Sequence, residues 1–386
     1  MLTSDLAQGF ERRTVVVTGH SGFKGSWLCE WLLSLGARVV GVSLPPEHEP
    51  SLFDQLNLRN RVDHHFQDIR DGQKLGRLIA DVQPDYVFHL AAQPIVRSSY
   101  NEPVGTFDTN VMGTVNLLEG LRGLREEYLG RDKSCSVVIV TSDKCYANRE
   151  WIYGYREVDP LGGFDPYSAS KACAEIVTAS YRQSYHNPLG RESMYMGIAS
   201  ARAGNVVGGG DWTNDRIIPD CIRYLQRDQS IPVRNPVATR PWQHVLEPLS
   251  GYLLLALRQK QALEEGDLDN LARYCSAFNF GPAASSNRSV REVVETVLRY
   301  WPGAWHEEED RHAPHEAGKL NLVWDKAFHY LGWQPLWSFE ETISRTIKWY
   351  RKSLESPTAV PQLVRDDIDA YCAGGIRTGS DDSTTL

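Results

Sequence analysis

TVVVTGHSGFKG, residues 14–25, passes from a β-branched run into three glycines spaced three apart, Gly19, Gly22 and Gly25. The run predicts a strand. After it, Lys24 to Leu35 places Trp27, Leu28, Trp31, Leu32 and Leu35 at helical spacing before Gly36 stops the helix. A turn this tight between strand and helix needs residues without a Cβ, and the helix start behind it offers free N–H groups to a pyrophosphate. The trio alone also fits a glycine-rich turn with no ligand. The strand before it, the amphipathic helix after it and its place near the chain start favour a dinucleotide site.

Outward from that turn, Arg38–Val42 is a second strand, closed by Pro45-Pro46. Asp85–Leu90 (DYVFHL) and Ser136–Thr141 (SVVIVT) are further apolar runs without alternation, which fits strands buried on both faces of a parallel sheet. Thr109–Leu121 and Tyr167–Tyr185 read as long helices. Past residue 205 the glycines at 208–210 and the prolines at 219, 232, 236, 241 and 248 break the chain into short elements, with helices at Leu249–Lys260, Ser289–Tyr300 and Phe339–Lys352. The pattern predicts an α/β protein: a Rossmann-type doubly wound parallel sheet with a smaller C-terminal α/β substrate-binding lobe. Residues 1–205 would form the NAD(P)-binding domain, joined by a returning segment near 236–260. Residues 206–360 would form mainly the lobe, and 361–386 a C-terminal segment with a loose tail from Gly374.

Composition narrows the class. The 386 residues carry 41 Lys+Arg and 49 Asp+Glu, a formal charge of −8, with no basic stripe or tail; that argues against nucleic-acid binding. GYLLLAL, residues 251–257, is too short for a membrane span, and the start MLTSDLAQGFERRTVVV shows no secretory pattern. Seven cysteines without a CxxC pair read as reduced thiols of a cytoplasmic protein. No residue set has metal-ligand spacing, and EEEDRHAPHE (307–316) reads as an exposed acidic loop.

Two further motifs carry chemistry. Asp165-Pro166 starts a helix on which Tyr167 and Lys171, four apart, share one face; a nearby ammonium favours phenolate and would make the tyrosine a usable base. A surface pair is the plain alternative. Thr141-Ser142-Asp143-Lys144 ends a buried strand, where open parallel sheets bind ligands; it supplies a hydroxyl, a carboxyl and an amine, or merely a solvated strand exit. In the second half, Arg202, Asn205, Asp211, Trp212, Arg216, Arg234, Arg240, Trp242 and His244 offer phosphate-binding forks and stacking rings, each equally open to packing roles. The second strand ends in Ser43 rather than the acidic residue that holds the ribose of NAD, so NAD and NADP both stay open. Asp68 falls near the adenine or caps the next helix.

Together TGHSGFKG, AAQPIVRSSY, TNVMGT, TSDKCY, DPYSASK, RAGNVVGGGDW and RPWQHVLEPL closely resemble the extended short-chain dehydrogenase/reductase superfamily, from about Arg13 to Trp349. Within it they resemble the nucleotide-sugar 4,6-dehydratases. Relatives acting on dTDP- and GDP-sugars place Asp-Glu where Asp143-Lys144 stand, and simple epimerases lack such a pair; TSDKCY and RPWQHVLEPL resemble the CDP-sugar branch. The resemblance implies oxidation at C4 of the glucose, loss of water across C5 and C6, and return of hydride to C6, giving CDP-4-keto-6-deoxyglucose for deoxysugar and O-antigen supply. Tyr167 with Lys171 would deprotonate the 4-hydroxyl, Ser142 would bind the 4-oxygen, Asp143 would protonate the leaving 6-hydroxyl, and Lys144 would act at C5 as base or as enolate stabiliser.

By the same resemblance Gly19, Gly22, Phe23, Lys24 and Gly25 surround the cofactor pyrophosphate. Asp68 and Ile69 flank the adenine, and Ala91, Ala92 and Gln93 line the nicotinamide ribose. Asn205, Arg216, Arg234 and Arg240 hold the sugar diphosphate, with His244 nearby. The implied cofactor is NAD, with NADP not excluded, and the implied assembly is a homodimer or homotetramer built through the helices at 109–121 and 167–185. Competing readings are a nucleotide-sugar epimerase, a dehydratase for another nucleotide-hexose, and a non-catalytic dinucleotide-binding regulator.

Overall fold

Val15, Val16 and Val17 are fully buried in the first strand, β1 (Thr14–Thr18), because it lies inside a sheet whose two sides are covered by helices. The computed structural model describes residues 2–131, 133–189, 195–308 and 319–374. The other strands of the sheet are β2 (Arg38–Ser43), β3 (Asp63–Phe66), β4 (Tyr86–His89), β5 (Cys135–Val140), β6 (Met196–Ala203) and β7 (Ala277–Phe280). Their order is β3-β2-β1-β4-β5-β6-β7, with every neighbouring pair parallel. Val17 stands opposite Gly41 on one side and Phe88 on the other. The chain therefore leaves β1 in one direction and β4 in the other, opening a crevice at their carboxyl ends.

Among the described residues, ten helices of nine residues or more frame the sheet and the lobe. They are α1 (Leu2–Phe10), α2 (Phe23–Ser34), α3 (Gly72–Val82), α4 (Gly113–Arg122), α5 (Pro166–Tyr185), α6 (Ile217–Leu225), α7 (Leu246–Glu265), α8 (Val290–Tyr300), α9 (Phe339–Glu355) and α10 (Val360–Ala373). One core packs Leu75, Ile79, Leu117 and Leu121 of α3 and α4 against Val16, Val40, Val87 and Val137. The other packs Trp27, Trp31 and Leu32 of α2 and Leu253, Ala256 and Leu257 of α7 against the opposite face, and runs on into the lobe through Ile222, Val293 and Ile347.

Three details depart from the sequence reading. The helix predicted over 109–121 is interrupted: Asp108–Met112 forms a π turn before α4 begins. Strand β7 joins the main sheet from a stretch assigned to the lobe, next to β6. The segment from 361 begins as a docked helix, α10, whose Tyr371 is fully buried and donates to Glu247 at 2.7 Å. The tail beyond Gly374 and the histidine-containing loop at 309–318 lie outside the described residues.

Candidate active site

The crevice widens into a cavity of about 760 Å³ that runs from the glycine turn across the ends of β1, β4, β5 and β6 to the lobe. The turn is shaped by sterics. Gly19 has φ +74°, and a Cβ there would stand 2.7 Å from the Ala91 backbone nitrogen. A Cβ on Gly25 would stand 2.1 Å from the Gly19 carbonyl oxygen, so helix and strand can approach only with glycine in place. Gly22 is the N-cap of α2 with no side chain over the free N–H groups, the arrangement that suits a dinucleotide pyrophosphate. Phe23 and Lys24 line the same cavity.

At the adenosine end, Ser43 is buried; its hydroxyl donates to Ser21 Oγ at 2.8 Å and lies 3.0 Å from His20 Nδ1. Burial lowers the His20 pKa to about 4, so this strand end offers neutral groups. Asp68 and Ile69 line the cavity. The capping role considered for Asp68 belongs to Asp71, which accepts from Lys74 N at 3.1 Å. Asp68 instead takes the Arg70 guanidinium at 2.6 Å, which holds its carboxyl below the usual range.

Ala91 and Ala92 line the centre, and Ala91 N donates to Thr18 Oγ1 at 3.1 Å. Gln93 needs correction. It is not among the cavity-lining residues; its side chain bonds Thr106 Oγ1 at 2.9 Å and accepts from Ile95 N, bracing the loop from behind. The short side chains of the two alanines leave the room there, while the amide is spent on the loop.

Ser142, Asp143, Lys144, Tyr167 and Lys171 all line this cavity. Ser142 caps a single 3₁₀ turn, Asp143–Cys145, accepting from Lys144 N at 3.2 Å and donating to Asp143 Oδ1 at 3.0 Å. Asp165 caps α5 through Ser168 N at 2.9 Å, and Tyr167 N donates to Ser99 Oγ at 3.2 Å, so the phenol enters the cavity from a fixed first turn. Burial drives the Tyr167 pKa up to about 12, against a lowering hydrogen bond from Ser142. That overturns the expectation that Lys171 acidifies the phenol: desolvation is the larger effect, and the Lys171 ammonium reaches the Val140 carbonyl at 3.4 Å. Lys171 itself is lowered to about 8 by burial, opposed by Glu175.

Lys24 is the residue whose setting the sequence least foretold. Its ammonium lies 3.5 Å from the Tyr252 hydroxyl of α7, and burial lowers its pKa to about 7, helped by Arg216 and Lys171 and opposed by Asp143. It thus belongs electrostatically to the catalytic end as well as to the glycine turn.

On the lobe side, Asn205, Arg216, Arg234 and Arg240 line the cavity, with Trp212 and Trp242. Two of the forks are steadied by carboxylates: Arg216 on Asp211 at 3.1 Å and Arg234 on Asp215 at 2.9 Å. His244 needs correction. It is fully buried between Trp27 and Trp337, with Nδ1 accepting from Leu246 N at 3.3 Å, and is not among the cavity-lining residues. Arg202, grouped with the phosphate forks, is buried against Glu175 at 2.8 Å instead. The register of β6 explains this: alternate residues face opposite sides of a strand, and Arg202 points into protein. The described residues hold no cluster fit for a metal ion.

A doubly wound sheet whose crevice gathers a glycine turn, Tyr-x-x-x-Lys and a Ser-Asp-Lys strand end defines an extended short-chain dehydrogenase/reductase. The family model of GDP-mannose 4,6-dehydratase matches residues 16–346. The CDP-glucose 4,6-dehydratase of Salmonella typhimurium strain LT2 is 46% identical over 353 residues, 91% of this chain and 93% of that protein. A dTDP-glucose 4,6-dehydratase of Xanthomonas campestris pv. campestris is 26% identical, over 87% of this chain and 93% of its own. Among solved structures, DesIV, a dTDP-glucose 4,6-dehydratase from Streptomyces venezuelae with NAD and TYD bound, superposes with a TM-score of 0.72 at 23% identity, covering 89% of this chain and 99% of that one. The epimerase Mth375 of Methanothermobacter thermautotrophicus matches with a TM-score of 0.72 at 23% identity, covering 95% and 98%; at these identities both speak for the fold. The chain belongs to the GDP-mannose 4,6-dehydratase family.

Proposed function

We propose that this chain is an NAD-dependent hydro-lyase that converts CDP-glucose to CDP-4-keto-6-deoxyglucose and water. The observation that carries the reading is the meeting of Ser142, Asp143 and Lys144 with Tyr167 and Lys171 in one cavity: an oxidation couple alone serves an epimerase, whereas elimination needs a further acid and base. The 46% identity to a CDP-glucose 4,6-dehydratase supports the choice of nucleotide.

The glycine turn and the ends of β1, β3 and β4 would hold the dinucleotide, whose nicotinamide supplies, when bound, a hydride acceptor and donor for a reaction with no net redox. NADP stays open on residue grounds because no carboxylate stands at Ser43. Tyr167 takes the proton of the sugar 4-hydroxyl; burial holds its pKa near 12, and the Ser142 hydrogen bond and the Arg216 charge favour the phenolate against it. Ser142 donates to the 4-oxygen. The ketone so formed acidifies the C5 hydrogen. Lys144 takes that proton or stabilises the enolate, and Asp143 delivers a proton to the departing 6-hydroxyl. Arg216, Arg234 and Arg240 neutralise the diphosphate, and Trp212 and Trp242 offer ring faces to the nucleoside.

No helix among the described residues is long and apolar enough to cross a membrane, and all seven cysteines are free thiols, which suits a reducing cytoplasm. Val104, Phe107, Met112 and Ile176 are exposed along the 103–122 segment and α5, an apolar face suited to pairing two copies. Incubation with NAD and a panel of nucleotide-glucoses, followed by mass measurement, tests the function. Loss of one water from CDP-glucose supports it. Unchanged mass with altered stereochemistry marks an epimerase, and cofactor binding without conversion marks a regulator.

A further inference from the structure

Behind the catalytic groups lies a buried polar knot that the reaction as written leaves idle. Glu175 sits four residues after Lys171 and eight after Tyr167 on α5, hence on the same face, and is 3% exposed. Its Oε1 accepts from Thr141 Oγ1 at 2.5 Å; its Oε2 accepts from Ser200 Oγ at 2.7 Å and from Arg202 Nη2 at 2.8 Å. Thr141 is the residue before Ser142-Asp143-Lys144. Arg202 in turn donates from Nη1 to the Tyr146 hydroxyl at 2.8 Å and the Glu157 carbonyl at 3.1 Å, so it also grips the loop after those three residues. Lys171 reaches the carbonyl of Val140, one residue before Thr141.

We propose that Glu175 is a positioning residue for the dehydration: through Thr141 it fixes the Ser142-Asp143-Lys144 strand end, and its carboxylate is the negative charge that faces Lys171 beside Tyr167. The role in dehydration rests on the function proposed above; the tie to Lys171 does not. Arg202 balances Glu175 without leaving the carboxylate silent, since a buried charge acts over several ångström.

The groups around Lys171 set the direction of the effect. Glu175 from its own helix and Cys145 from the turn after β5 favour the ammonium. Lys24 of α2 shares repulsion with it, and His89 of β4 is lowered by it. Burial already brings Lys171 down to about 8. Removing the Glu175 charge therefore moves its titration further down, toward neutral pH.

The test follows the Lys171 side chain by lysine Cε/Nζ NMR against pH in the full chain, assigned with Lys171→Arg. In Glu175→Gln the midpoint should fall by about one pH unit or more. Glu175→Asp, which keeps the charge, should restore most of it. The alkaline limb of kcat/KM for CDP-glucose should move with the midpoint. Thr141→Val should lower kcat while leaving the Lys171 midpoint in place. A merely structural Glu175 would lower thermal stability in Glu175→Gln without moving the midpoint, and that result overturns the proposal. If Glu175→Gln does not fold, Glu175→Gln with Arg202→Gln removes both charges; loss of the cation offsets part of the change, so a smaller fall in the same direction is expected, and an unmoved midpoint overturns the proposal. Wild-type protein that converts no nucleotide sugar would sink the function proposed above, while the NMR midpoint still decides whether Glu175 governs Lys171.

Discussion

Replacing Gly25 by alanine should cost this protein both its stability and its grip on a dinucleotide. An added Cβ would lie 2.1 Å from the Gly19 oxygen, 2.8 Å from the Gly19 carbonyl carbon and 2.8 Å from His20 Cα, all backbone atoms that cannot rotate aside. A carbon needs roughly 3.5 Å from such neighbours, so helix α2 and the turn must part by about 1 Å. Overpacking of this kind costs about 1–3 kcal/mol or more. A displacement of about 1 Å at a positioning element can cost on the order of a hundredfold in function. Gly22 is the internal control: a Cβ there meets only the Gly19 oxygen at 3.4 Å, with φ −77°, so Gly22→Ala should fold normally. Its methyl would project over the helix N-terminus and weaken only dinucleotide binding. Thermal denaturation with calorimetric NAD titration separates the two. Wild-type stability and affinity in Gly25→Ala would refute the steric account of the turn.

Other consequences are as direct. Tyr167→Phe should abolish substrate-driven cofactor reduction, read at the absorbance of the reduced nicotinamide; retained reduction would remove Tyr167 from the mechanism. Lys144→Ala should keep partial hydride transfer and lose elimination, so a single-turnover experiment would show reduced cofactor without loss of water; wild-type turnover would deny Lys144 a chemical part. Stability should fall in acid. His20, His89, His186 and His244 are held neutral by burial, with values of about 4, 3, 4 and 3 against an ordinary 6.5. The unfolded chain binds these protons first, so the stabilisation is present above pH 6.5 and is lost as pH falls toward 4. By this linkage an imidazole moved to about 4 contributes about 3 kcal/mol and one moved to about 3 contributes about 5 kcal/mol, the last part of it lost below pH 4. A denaturant midpoint that stays flat from pH 7 to pH 4.5 would contradict it.

The sheet was legible because its cause is local. A β-branched run such as TVVVT buried on both faces leaves no polar alternation, and Gly19 and Gly25 stand where any Cβ would collide with backbone. The π turn at Asp108–Met112 was not, since a single extra residue in a helical turn leaves the apolar spacing almost unchanged. Nor was the edge strand β7: AFNF is too short for its periodicity to say which sheet it joins. The docking of α10 hangs on Tyr371 meeting Glu247, 124 positions apart, a partnership that no local pattern encodes. In the site, motif residues close in sequence were found together. His244 and Gln93 came in with the resemblance, and neither lines the cavity: the first is packed between Trp27 and Trp337, the second bonds Thr106 and Ile95. Glu175 had a visible signal, four positions past Lys171 on the same helical face, but nothing in the chain marks Arg202 and Thr141 as its partners.

By itself the sequence determined which backbones could turn, extend and coil, and which functional groups would leave the same helix face or strand end, because those follow from bonded geometry over a few residues. Only the tertiary structure decided how those groups ionise. Tyr167, Lys171 and Lys24 are moved by the water they lose and the charges they meet across separate elements, and both depend on distances that arise once the chain has packed.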